Sequence, residues 1–216
     1  MQPKLIIFDW DGTLADTTQP IIHTMQAAFQ TCGFNAPADD AIRLHIGNSL
    51  HGIIAQLAPQ LNAAQQQQIA QAYTVSYLNP NNHNMTLFDD ARACLDTLQQ
   101  QGYGLAVATG KGRIGLNQAI AQTNTAHYWL TTRCASECPA KPAPDMVLEI
   151  CDELGVEPAD ALVVGDTTYD LEMAAHARCR AVAVCTGAHS LATLQSAPHV
   201  ALIQRLAELP AVLLRL

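Results

Sequence analysis

Charge is sparse in this sequence. Only 14% of its 216 residues are Asp, Glu, Lys or Arg, and the 11 basic residues are outnumbered by 19 acidic ones. A chain so poor in charge and 49% apolar is not a disordered one. The shortage of Lys and Arg argues against a sequence-independent nucleic-acid binder, whose affinity comes from basic side chains. A formal net charge of −8 still permits an anion site, but only through a few well-placed cations. Long apolar runs are missing too. None approaches the ~20 residues of a membrane-spanning helix, and Leu5–Phe8 is too short for the core of an export signal. The seven cysteines are odd in number, and their one close pair, Cys134 and Cys138, has no second pair to complete a zinc pattern. Reduced thiols in a cytoplasmic protein are therefore expected, with neither membrane nor nucleic acid as partner.

What is present is a repeated short apolar run. Leu5–Phe8 has no alternation and reads as a strand buried on both faces, as in a parallel sheet. Leu105–Ala108, Tyr128–Leu130, Leu162–Val164 and Ala181–Val184 read the same way, and Val200–Ile203 as an edge strand. Between them lie helical spacings: Ala91, Cys94, Leu95 and Leu98 ahead of Gly102, then Val147, Ile150, Cys151 and Leu154 ahead of Gly155. Strands alternating with helices predict an α/β fold with a doubly wound parallel sheet. Residues 17–84 break the alternation. Three apolar stripes, one in each of 21–32, 50–57 and 69–77, recur at helical spacing with no strand-like run between them. The expectation is a catalytic α/β core of residues 1–16 and 85–216, with a small all-helical domain of 17–84 inserted and a return linker at 79–82.

In a doubly wound sheet the ligand crevice lies outside the carboxyl ends of the strands, and here those ends are polar. The first delivers Asp9-Trp10-Asp11-Gly12-Thr13 and the second Thr109-Gly110-Lys111. The third leads to Lys141-Pro142, and the fourth gives Gly165-Asp166-Thr167-Thr168-Tyr169-Asp170. Two carboxylates at 4 Å repel by about 4 kcal/mol at an effective dielectric near 20. Asp9, Asp11 and Asp166 gathered together thus require a cation. With oxygen donors and no His or Cys beside them, Mg²⁺ with a substrate phosphate fits best. Lys141 and the Thr109 hydroxyl would meet the remaining phosphate oxygens. Thr167-x-x-Asp170 also reads as a capping box, giving Asp170 a structural role beside any functional one.

These residues, Phe8 to Leu14, Thr109, Lys141 and Gly165-Asp166 with Asp170, match four motifs in order. The chain resembles the haloacid dehalogenase superfamily, in its phosphoglycolate phosphatase-like branch, from residue 4 to about 188. That resemblance implies a Rossmann-like core with a helical cap, and a phosphoric monoester hydrolase. By likeness, Asp9 is the nucleophile that becomes an aspartyl phosphate, and Asp11 is the acid and then the base. Thr109, Gly110 and Lys141 hold the phosphoryl group, and Asp166 joins Asp9 and the Asp11 carbonyl around Mg²⁺, with Asp170 behind them. Lys111, which often follows motif two in relatives, reads as a flanking residue. Arg43 is the only Lys or Arg between 17 and 84, and Arg43 or the Gly47-Asn48-Ser49 loop is the expected contact to the rest of the substrate.

The implied substrate is a small phosphorylated metabolite, phosphoglycolate by the branch name, and the implied assembly is a monomer or weak dimer. A β-phosphoglucomutase-type sugar phosphomutase shares all four motifs, and a silent phosphometabolite sensor is the reading from outside enzymology. One departure is visible. Relatives usually place Gly after the helix that follows motif four, where this chain has Arg178-Cys179. Arg there would meet a left-handed backbone it disfavours.

Overall fold

The structure, a computed structural model, describes residues 2–79, 82 and 85–216. Residues 80 and 81 of the expected return linker, and the boundary at 84, fall outside these residues. Six parallel strands form one sheet: β1 (Leu5–Phe8), β2 (Gly104–Thr109), β3 (Thr131–Cys134), β4 (Ala161–Gly165), β5 (Arg180–Val184) and β6 (Ala201–Ile203). Their order is β3-β2-β1-β4-β5-β6. Every residue of β1 is buried, as its unbroken apolar run requires.

Helices cover both faces. Ile6, Phe8, Val107 and Val164 face one apolar layer, shared with α5 (Ala91–Gln100) and α6 (Arg113–Thr123). Leu5, Ile7, Ala106 and Val163 face the other, shared with α7 (Asp145–Leu154) and α8 (Thr168–His176). Between β1 and β2 stand α1 (Thr18–Thr31), α2 (Asp39–His45), α3 (Leu50–Leu57) and α4 (Ala63–Tyr77), which enclose an apolar cluster of their own around Ile22, Met25, Ile42, Ile54 and Ile69. Two short helices, α9 (Leu191–Gln195) and α10 (Leu209–Leu213), complete the chain. Among the described residues, no helix is long and apolar enough to cross a membrane.

The third strand is not where the apolar run put it. Tyr128 closes a 3₁₀ turn, and the strand is the next segment, Thr131–Cys134. This strand is the sheet's edge, so it needs no apolar run; its first three residues are half-buried, and Arg133 reaches Glu149 and Glu153 of α7 at 2.9 and 2.7 Å.

Arg178 does adopt the left-handed conformation, with φ of 58°. It follows α8, where the amide of Cys179 donates back to the carbonyl of Ala174 at 2.8 Å. An L-residue there costs roughly 1–2 kcal/mol, while glycine would give back about 0.5–1 kcal/mol in unfolded-state entropy. Arg178→Gly is expected to stabilise the protein by up to about 1 kcal/mol, raising Tm by about 2–4 °C. A thermal melt with unchanged or lowered Tm would contradict this reading.

Candidate active site

The strand order reverses at β1, so the crevice opens where the chain leaves β1 between β2 and β4. Asp9 is the first residue past β1, and its amide donates to the Val164 carbonyl at 2.9 Å. The turn that follows brings Asp166, just past β4, against the first loop. A Cβ on Gly12, whose φ is 85°, would stand 2.5 Å from the Asp166 carboxylate, so only glycine permits the approach. The Thr13 hydroxyl donates to one Asp166 oxygen at 2.7 Å and the Ala188 amide to the other at 2.8 Å.

Lys141 is fully buried at the centre of this acidic group. Its ammonium donates to Asp9 Oδ1 and, at 2.6 Å, to Asp170 Oδ1. Asp170 Oδ2 accepts from the amide and hydroxyl of Thr167 at 3.1 and 2.7 Å, which is the capping box on α8. Asp170 is thus both cap and ion-pair partner. Asp9 Oδ2 is buried with no hydrogen-bond partner.

The electrostatics leave this cluster short of positive charge. Burial pushes the Asp9 carboxyl well above the usual range; Lys141 opposes the rise, and Asp170, Asp166 and Asp11 add to it. Burial, with Asp170 behind it, pushes Asp166 up to about 7. Burial works against the Lys141 ammonium, yet Asp170 and Asp9 outweigh it and hold its pKa above the ordinary value. Oxygens of Asp9, Asp166 and Asp170 lie within 4.8 Å of one another. Three carboxylates against one ammonium, an all-oxygen donor set and an orphaned carboxylate oxygen fit a hard divalent cation. The cluster differs from the sequence expectation in one member: it contains Asp170, and the Asp11 carboxylate is elsewhere.

That carboxylate has partners of its own, from the end of β2 and from the residue before α1. Lys111 Nζ donates to its two oxygens at 2.8 and 3.0 Å, and the Thr17 hydroxyl donates at 2.7 Å. Lys111 also donates to the Tyr77 hydroxyl at 3.1 Å, with its ammonium 4.6 Å from that ring's centre. The flanking residue of the sequence reading is therefore the clamp on Asp11. Its position just past β2, at a polar strand end, was the one available signal.

Thr109 is fully buried, and its hydroxyl accepts from the Lys111 amide at 3.2 Å. A Cβ on Gly110 would lie 2.5 Å from the Asn48 carbonyl and 2.8 Å from that of Gly47. The helical layer thus rests directly on the end of β2. Between them is a cavity of about 560 Å³, with Asp9, Asp11, Thr109, Gly110 and Lys111 at its floor and Ile46, Asn48 and Tyr73 among its walls. Lys141 and Asp166 lie behind this floor rather than in it. The Gly47-Asn48-Ser49 loop lines the cavity; Arg43, half-buried on α2, is not among the lining residues. α2 buries Ile42 in the helical cluster, and none of its residues lines the cavity, which the chain re-enters at Ile46 just past the helix.

Comparisons with known proteins give the family and the fold. The family model described as haloacid dehalogenase-like hydrolase matches residues 6–184. A chain of Dickeya dadantii named as probable phosphatase IndB is 31% identical over 215 residues, covering 96% of this chain and 92% of that one. A phosphoglycolate phosphatase of Haemophilus influenzae is 28% identical over 196 residues, covering 86% and 87%. The crystal structure of a hydrolase from Pseudomonas syringae superposes with a TM-score of 0.90 at 20% identity, covering 99% of each chain, a likeness of fold.

Proposed function

The chain belongs to the haloacid dehalogenase-like hydrolase family, and from that premise we propose that it is a Mg²⁺-dependent phosphatase of a small phosphate monoester. The observation that carries the proposal is the state of Asp9. Lys141 pins one of its oxygens, and the other, without a partner, belongs to a residue on the floor of the cavity. Asp9 attacks the phosphorus, its P–O bond forms as the ester P–O bond breaks, and Asp11 gives its proton to the departing alkoxide. Water then attacks the phosphorus of the aspartyl phosphate, Asp11 takes the water's proton, and Asp9 leaves as a carboxylate. Lys111 and Thr17 keep Asp11 oriented for both halves. Thr109 and Gly110 receive the phosphoryl oxygens. Asp9 and Asp166, with Asp170 beside them and the Asp11 carbonyl that the family resemblance implies, would hold Mg²⁺, which when bound supplies the positive charge that lets a carboxylate approach a phosphate dianion.

Residues 17–84 act in this reading as a cap on a core of 1–16 and 85–216, closing over substrate to exclude bulk water. The contact of Gly47 and Asn48 with Gly110 supports that role. Phosphoglycolate is one candidate substrate, from the branch resemblance and from the name that the Haemophilus relative carries. Steady phosphate release from phenyl phosphate with Mg²⁺ is expected, falling by about 100-fold or more with chelator. Isomerisation of a sugar phosphate without phosphate release would point to a mutase instead. Binding of phosphorylated metabolites without turnover would point to a sensor.

A further inference from the structure

The alcohol that leaves the phosphorus, taking a proton from Asp11, must sit in the part of the cavity away from Asp9, and the cavity has an unusual balance of charge. Among the described residues lining it, the cationic side chains are Lys111 and Arg113. Both are spoken for. Lys111 is committed to Asp11 and Tyr77. Arg113 is paired with Glu137 through two hydrogen bonds, at 2.7 and 2.5 Å, and its other guanidinium contacts go to Thr132 at 2.7 and 3.1 Å. His51, also in the lining, has its Nε2 3.1 Å from the Gln67 side-chain oxygen. The remaining cation near the chemistry, Lys141, lies outside the lining and is held by Asp9 and Asp170. A carboxylate or second phosphate on the leaving group would therefore be desolvated without an ammonium or guanidinium to meet it.

The walls offer something else. Ile46, Leu50, Ile53 and Ile114 make them apolar, and Tyr73 and Tyr77 add a stacked pair, with ring centres 5.2 Å apart and planes 11° from parallel. A two-carbon acid would leave most of a 560 Å³ cavity unfilled, whereas cavities of this size enclose ring-bearing ligands. Asn48, Ser49 and Thr74 supply neutral polar groups along the same walls. We propose that the leaving group is an uncharged, ring-bearing alcohol, and that this chain discriminates against anionic leaving groups such as that of phosphoglycolate. The inference rests on the phosphatase reading above and narrows its substrate class.

The test is kcat/KM with Mg²⁺ for phenyl phosphate, 4-carboxyphenyl phosphate and phosphoglycolate. Phenyl phosphate is expected to exceed both others by about tenfold or more, the factor set by stranding one charge in an apolar site. The carboxyphenyl ester separates charge from size, since it keeps the ring. Ile114→Lys places a new cation at a lining position that is 66% exposed, where the fold tolerates it. It is expected to shift the ratio of carboxyphenyl to phenyl phosphate upward by about tenfold. Phosphoglycolate or the carboxyphenyl ester turned over as well as phenyl phosphate would overturn the proposal while leaving the phosphatase reading intact. Phosphate release from none of the three would defeat the phosphatase reading, and this one with it.

Discussion

Asp9→Asn is expected to lower kcat by about four orders of magnitude or more for every phosphate monoester the protein hydrolyses. The amide is nearly the same shape and can still accept a hydrogen bond from Lys141, but its oxygen is a poor nucleophile. Because the lost interaction belongs to the chemical step, the fall should appear in kcat with KM little changed. The fold should survive. Burial raises the native pKa of Asp9 above its unfolded value, so the native state holds the proton more tightly. That contribution to stability is complete below the unfolded pKa and is lost as pH rises through the native one. Asp9→Asn has no such proton to lose, so its melting temperature should gain on that of the metal-free wild type as pH rises. Activity within tenfold of wild type would remove Asp9 from the nucleophile's role.

Lys141→Met should be the most damaging substitution for stability. It takes the ammonium from between Asp9 and Asp170, each of which it hydrogen-bonds in a fully buried setting. Removing one partner of a buried ion pair costs about 3–5 kcal/mol, because the charge left behind has no compensation. At this chain length that is a fall in Tm of about 10 °C. Activity should fall as well, since the Asp9 carboxylate loses the contact that fixes its direction. A melt within about 2 °C of wild type would show that Asp9 and Asp170 do not depend on Lys141.

The central strands were legible because a parallel strand buried on both faces has to be a continuous apolar run. β1, β2, β4 and β5 all carry one. The same rule misled at β3, an edge strand of Thr, Thr and Arg for which the rule does not hold, while the nearby apolar Tyr128 packs as a turn. α2 has no apolar stripe, burying only Ile42, and so gave no helical signal. The convergence of Asp9, Thr109 and Asp166 was readable since each sits at or just past a strand's carboxyl end. Lys111 was not readable in its role. Its partner Asp11 lies 100 residues away, and a place at a polar strand end marks a lysine as near the crevice without saying which carboxylate it holds. Arg43 drew notice as an isolated charge, but isolation in sequence does not say which way a helix faces. Asp170 shows the opposite case, where two readings of one residue are both true: it caps α8 with one oxygen and holds Lys141 with the other.

The most direct measurement is chemical trapping of the phosphoenzyme. An acyl phosphate is reduced by borohydride to the alcohol, so a quench during steady turnover with Mg²⁺, followed by peptide mass spectrometry, reads out which carboxylate carried the phosphoryl group. Reduction is expected at Asp9 alone, only when substrate is present, and not in Asp9→Asn. Reduction at Asp11, Asp166 or Asp170, or none during active phosphate release, would contradict a covalent mechanism centred on Asp9.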